Sequence, residues 1–199
     1  MLLGFAETMG LERRGVVVTR GRILVTGADG FFGRHFVPTL PKDEQTILHC
    51  GLPGSVDAYR REGFSSVLAG DLAGDEAAWG LPEVDVDTVV HLAGLPGGDE
   101  DDLLRANVSV TRNVVRWAVS HKVQTVVFAS TAAVYGDSCE RPAKEDDELA
   151  PQTPYAISKV RAEELLQEFS DDGGSVISLR IPHAYGSGKR VGVLAAILS

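Results

Sequence analysis

Tyr155 and Lys159 stand four residues apart in Tyr155-Ala156-Ile157-Ser158-Lys159, a spacing that sets both on one face of a helix. An ordinary phenol titrates near pH ~10 and is a poor base at neutral pH. A nearby ammonium stabilises the phenolate, so the pair can act as a proton acceptor and donor. Upstream, Ser130-Thr131 offers hydroxyls that can hold a substrate oxygen while its proton moves. A second segment, Gly27-Ala28-Asp29-Gly30-Phe31-Phe32-Gly33, follows the apolar run Ile23-Leu24-Val25-Thr26. The first glycine allows a sharp turn off a strand, the second lets backbone approach a pyrophosphate, and the third lets the next helix pack closely. Backbone N–H groups and the helix dipole then hold the anion. Each motif alone also describes an ordinary turn or a helix-surface pair. Together, a nucleotide seat and a proton-transfer pair point to hydride chemistry.

These residues need a scaffold, and the sequence patterning supplies one. Short apolar runs at 22–26, 46–50, 66–69, 88–92, 125–129 and 175–180 alternate with helical patterns at 31–40, 76–79, 101–120 and 154–169. Apolar strands without strict alternation suit a parallel sheet buried on both faces. Thr153 before Pro154 is a helix start, and the acidic residues from Asp101 favour a helix N-terminus. The alternation predicts an α/β fold: a Rossmann-type doubly wound parallel sheet with helices on both faces. The chain has 199 residues, which suffices for one domain with a full core. We divide it into an N-terminal extension, 1–20, and a dinucleotide-binding domain, 21–199.

A net charge of −9 argues against a nucleic-acid partner. No apolar run reaches the length of a membrane span, and the expected location is the cytoplasm. Cys50 and Cys139 lie far apart without metal-type spacing, so the expectation is reduced thiols and no metal.

The motifs and their order resemble the short-chain dehydrogenase/reductases, in particular the extended branch of sugar-nucleotide epimerases and dehydratases. The resemblance runs from about Arg22 to about Arg190. It implies that Tyr155 is the acid/base, that Lys159 binds the nicotinamide ribose, and that Thr131 is the catalytic hydroxyl of Thr131-Ala132-Ala133-Val134-Tyr135-Gly136. It places NAD or NADP on Gly27, Gly30, Phe31, Phe32 and Gly33. Further contacts are implied from Asp71 and Leu72 beside the adenine, and from Leu92, Ala93 and Gly94 along the channel. Asn107 resembles the family's structural asparagine. The implied substrate is a small molecule, a nucleotide sugar or related hydroxyl or keto compound. The implied assembly is a homodimer paired through the helices that carry Leu104, Val108, Val115, Leu165, Leu166 and Phe169.

Four departures matter. The second strand ends Thr46-Ile47-Leu48-His49-Cys50-Gly51, without the acidic residue that reads the adenosine ribose in NAD-binding members, and Arg60 and Arg61 are the nearest arginines after it. NAD and NADP both stay open. Ala132 and Ala133 stand where sugar dehydratases of the family carry an Asp-Glu pair; methyl groups move no protons, so an epimerase, reductase or dehydrogenase is expected. His183 occupies a position where many members have Asn. Finally, the extended members continue into a further substrate region, whereas this chain stops at Ser199 in an apolar segment, 191–198. The expectation is a fragment or a natural short form, and a cofactor-binding module without independent catalysis is the alternative to an enzyme.

Overall fold

The computed structural model describes residues 21–136 and 141–186. The 1–20 extension, Cys139 and the 191–198 segment lie outside these described residues. Six strands form one parallel sheet: β1 (Ile23–Thr26), β2 (Thr46–Cys50), β3 (Ser66–Ala69), β4 (Thr88–His91), β5 (Thr125–Thr131) and β6 (Ser175–Ile181). Their spatial order is β3-β2-β1-β4-β5-β6. The order reverses between β1 and β4, and in doubly wound sheets the crevice beyond the carboxyl ends at such a point is where ligands sit. The register aligns Thr26 with His49 on one side and with His91 on the other.

Five helices connect the strands: α1 (Phe31–Phe36), α2 (Pro53–Arg61), α3 (Glu100–Leu103), α4 (Val110–Ser120) and α5 (Pro154–Asp171). The expected 31–40 helix stops early because Pro38 cannot donate to an α-ladder, and a 3-10 turn (Val37–Thr39) completes it. α2 lies where the patterning assigned no helix. Its Leu52-Pro53-Gly54-Ser55 start reads as a turn, but Pro53 holds the first helical position. The expected 101–120 helix is interrupted by a π-turn (Leu104–Ser109) between α3 and α4. Asp99 caps this run, its carboxylate accepting the Asp102 N–H at 2.8 Å. Thr153 caps α5 by accepting the Ala156 N–H at 3.2 Å.

Neighbouring residues of β1 and β2 serve opposite faces of the sheet. Leu24 and Ile47 join Val89, Val114, Val126, Phe128, Leu166 and Phe169 beneath α4 and α5. Val25 and Leu48 join Val37, Tyr59, Phe64 and Val67 beneath α1 and α2. Full burial of such a side chain stabilises by about 1.5–3 kcal/mol. Among the described residues the second face is covered only over β1–β3. On β6, Ile177 and Leu179 remain 49% and 44% exposed, along a hollow of 970 Å³.

Of the six residues named for pairing two copies, Val108, Val115, Leu166 and Phe169 are buried within this chain. Leu104 and Leu165 alone are partly exposed. No described helix is long and apolar enough to cross a membrane.

Candidate functional site

The glycine turn does three different jobs. Gly27 has φ +69°, and a Cβ there would lie 2.5 Å from the Ala93 nitrogen. Both facts require glycine. At Gly33 a Cβ would meet the Ala28 carbonyl oxygen at 2.2 Å, because α1 packs directly on the β1 turn. Gly30 differs: its nearest neighbour would be the Gly27 carbonyl oxygen, 3.2 Å away. That approach is tight without being a collision, so Gly30 is the least crowded of the three.

A cleft of 410 Å³ opens beyond the ends of β1, β2 and β4. Gly27, Gly30, Asp71, Leu72, Leu92, Ala93 and Gly94 line it, so seven of the expected cofactor residues share one wall. Gly33 is buried beneath. Phe31 and Phe32 sit at the start of α1 in edge-to-face contact, 5.5 Å between centroids. A Cβ on Gly186 would come within 3.8 Å of the Phe31 ring, so the chain leaving β6 passes close to this turn. Asp71 pairs with Arg105 at 2.9 Å, both half-exposed.

Thr131, Tyr155 and Lys159 lie outside the cleft lining, at the end of β5 and the start of α5. The Thr131 hydroxyl caps the following 3-10 turn through the Ala133 N–H at 3.3 Å. It also hydrogen-bonds the Tyr155 phenol, which works to lower its pKa, but burial prevails and raises it. Lys159 is 6% exposed. Its Nζ donates to the Ala129 carbonyl at 3.0 Å and lies 4.7 Å from the Phe128 ring centroid. Burial brings its pKa down to about 8, against the opposing pull of Glu163. The expectation that the ammonium lowers the Tyr155 pKa is therefore not met in this geometry, where Thr131 is the group that lowers it. Lys159 is the link to the cleft: a Cβ on Gly94 would lie 3.3 Å from its Nζ.

Sequence reasoning missed the network behind these residues. Glu163 continues the Tyr155, Lys159 spacing by one more turn of α5, a signal that was available. Its carboxylate accepts from the Ser130 hydroxyl in a very short hydrogen bond. It also binds Arg180 at 2.9 Å. Arg180 further donates to the Tyr135 hydroxyl at 2.7 Å and the Glu145 carbonyl at 3.0 Å. The two adjacent hydroxyls are thus divided, Ser130 to the Glu163–Arg180 pair and Thr131 to Tyr155. The Glu163 hydrogen bonds hold the Arg180 pKa above its ordinary value.

Asn107, on the π-turn, ties the channel to α5. Its Oδ1 accepts the Leu95 N–H at 2.9 Å, and its Nδ2 donates to the Leu95 carbonyl and to Ser158 Oγ, next to Lys159. His91 is a neutral core residue. Burial, with Lys159 nearby, pushes its pKa down to about 3. Thr111 donates to the Asn107 carbonyl and so accepts from His91 Nε2, while His91 Nδ1 accepts from Thr26 at 2.7 Å. His183 is exposed on the loop after β6. Among the described residues no cluster of His, Cys, Asp and Glu could hold a metal ion.

The family model described as the NAD dependent epimerase/dehydratase family matches residues 23–198. A UDP-glucose 4-epimerase 4 of Oryza sativa subsp. japonica is 32% identical over 193 residues, 85% of this chain and 51% of that relative. A Bacillus subtilis (strain 168) protein described as an uncharacterized UDP-glucose epimerase is 30% identical over 188 residues, 85% of this chain and 58% of the relative. Among solved structures, MoeE5 in complex with UDP-glucuronic acid and NAD is similar with a TM-score of 0.75 at 32% identity, covering 89% of this chain and 60% of that one. The chain spans between half and three fifths of the length of these relatives.

Proposed function

The chain belongs to the NAD dependent epimerase/dehydratase family, and from that premise we propose that it is the cofactor and proton-transfer half of an NAD-using epimerase or oxidoreductase. The observation that carries this reading is the junction at Gly94, where a glycine-walled cleft meets Lys159, one helical turn along α5 from the Tyr155 that Thr131 hydrogen-bonds. The residues suit the cofactor, since the cleft is lined mainly by glycine and small apolar side chains that let an extended dinucleotide lie on backbone.

When bound, NAD supplies a hydride acceptor and, once reduced, a hydride donor. Gly30 with the first turn of α1 seats the pyrophosphate. Leu92, Ala93 and Gly94 bound the channel toward the nicotinamide end, where Lys159 holds the ribose. Thr131 fixes the substrate hydroxyl, and Tyr155 takes its proton as the carbon loses hydride. In the reverse step Tyr155 returns that proton to oxygen. Hydride return to the opposite face of a keto intermediate gives an epimer; release of the keto compound gives a net oxidation. Ala132 and Ala133 carry no group that could protonate a leaving hydroxyl, so the product retains all of its oxygen.

The proposed substrate is a nucleotide sugar, the chemistry named for the relatives, the proposed location is the cytoplasm, and the proposed assembly is a homodimer. A buried free thiol at Cys50 suits a reducing compartment. The alternative is a cofactor-binding module that does not turn over by itself. Nucleotide hexoses incubated with the protein and NAD, with products followed by mass spectrometry, separate the two. Turnover lost on Tyr155→Phe supports the enzyme, and NAD binding without turnover supports the module. A product lighter by one water at enzymatic rates contradicts the reaction type.

A further inference from the structure

The missing acidic residue at the end of β2 is supplied from elsewhere. Asp29, the third residue of the glycine turn, reaches across to the residues that follow β2. One carboxylate oxygen accepts the Gly51 N–H at 3.1 Å, and the other accepts the Leu52 N–H at 2.9 Å. Asp29, His49, Gly51 and Leu52 together line one end of the cleft. His49 there donates its Nε2 proton to the Trp79 carbonyl at 2.7 Å, and its buried Nδ1 has no hydrogen-bond partner among the described residues.

We propose that Asp29 is the residue that selects the cofactor, favouring a dinucleotide with a free adenosine 2′-hydroxyl over one with a 2′-phosphate. This rests on the cofactor reading above. A hydroxyl can donate to a carboxylate or an imidazole nitrogen, whereas a phosphate is an acceptor carrying negative charge. The cleft wall offers two carboxylates, Asp29 and Asp71, and no lysine or arginine. The arginines close to it in sequence are engaged elsewhere. Arg60 donates to the Val67 carbonyl at 3.3 Å and Arg61 to the Asp57 carbonyl at 3.2 Å. Arg34 donates its Nε proton to the Asp29 carbonyl at 2.7 Å and lines a neighbouring hollow, which it shares with Asp29, Gly54 and Ser55. Asp71 is already paired with Arg105, leaving Asp29 as the carboxylate on this wall with no cationic side chain bonded to it.

Calorimetric titration of the full chain with NAD and with NADP tests this without need of turnover. The wild type should favour NAD by about tenfold or more, since a 2′-phosphate would stand against the Asp29 carboxylate. Asp29→Asn should shrink that preference about tenfold, while Asp71→Asn should leave it within about twofold because Arg105 already offsets that charge. Should Asp29→Asn fail to fold, the wild type in rising salt gives the same answer: screening should narrow the preference as the Debye length falls from about 10 Å to about 3 Å. Equal affinity for the two cofactors, a preference untouched by Asp29→Asn or by salt, or an equal effect of Asp71→Asn would overturn the assignment. Binding of neither cofactor would overturn the cofactor reading along with it.

Discussion

At the Gly27–Gly33 end of the site the wall is backbone, and at the Thr131–Arg180 end it is side chains. The first region works by close backbone packing: Gly27 and Gly33 have no space for a Cβ, and one on Gly30 would press on the Gly27 carbonyl oxygen at 3.2 Å. The second is built of side chains. Lys159, Glu163, Ser130, Arg180 and Tyr135 form a continuous chain of charge and hydrogen bonds behind the Thr131–Tyr155 pair. A cradle made of backbone has a shape that tolerates little addition. A polar network tolerates changes of shape, but the close Glu163–Arg180 pair within it does not tolerate loss of either member, because an unpaired buried charge is costly.

The largest effect expected from this contrast is on chemistry. Tyr155→Phe removes the hydroxyl proposed to carry the proton while leaving the ring in place, and turnover of a nucleotide sugar should fall about 10²–10⁴-fold. Activity within a few-fold of wild type would assign the proton to another group.

Next comes stability at the backbone end. Gly33→Ala drives a Cβ into the Ala28 carbonyl oxygen, and overpacking of that kind should cost about 3 kcal/mol in denaturant unfolding. A variant as stable as wild type would show that α1 can lift off the turn without penalty.

A smaller effect, of opposite sign, is expected at the polar end. The Lys159 pKa of about 8 lies below the ordinary lysine value of 10.5, so between these values the unfolded chain binds more protons. Stability from this group therefore rises with pH through that window, and the full cost of the buried charge is present below about pH 8. The Cys50 thiol, raised from 9.0 to about 12 by burial, acts against the rise above pH 9. Lys159→Met should gain about 1–2 kcal/mol at pH 7, less than the full shift because the Ala129 carbonyl loses its donor. It should also flatten the profile between pH 8 and 9. A melting profile that keeps its slope in the variant would place the titration elsewhere.

The same contrast governs what the sequence made legible. Glycine spacing after a strand is a backbone signal, and Gly27 makes the turn and Gly33 the close packing that the motif implies. The six strands were readable because each is a compact apolar run, in a sheet whose second face is covered over β1–β3 among the described residues. α2 was missed because Pro53, Gly54 and Ser55 resemble a turn until Tyr59 is seen packing beneath. The π-turn was missed because one additional residue per turn does not break apolar periodicity over so short a stretch. Glu163 and Arg180 are far apart in sequence, and only the pairing of β5 with β6 aligns Ser130 with Arg180. Asp29 was hidden in an unspecified position of a motif defined by its glycines. The apolar positions assigned to a dimer face were periodic because they serve the core, and periodicity does not say which partner a face buries against.

The most direct measurement is a calorimetric titration of NAD into two variants, Gly30→Val and Tyr155→Phe, beside the wild type. Gly30→Val puts a branched side chain where the pyrophosphate is proposed to sit, and affinity of the folded variant should fall at least about tenfold, or 1.4 kcal/mol. Tyr155→Phe should bind NAD within about twofold of wild type, since loss of a single hydrogen bond at the far end weakens binding little. Unchanged affinity in a folded Gly30→Val, or a greater loss in Tyr155→Phe than in Gly30→Val, would contradict the division of this site into a backbone seat and a side-chain proton relay.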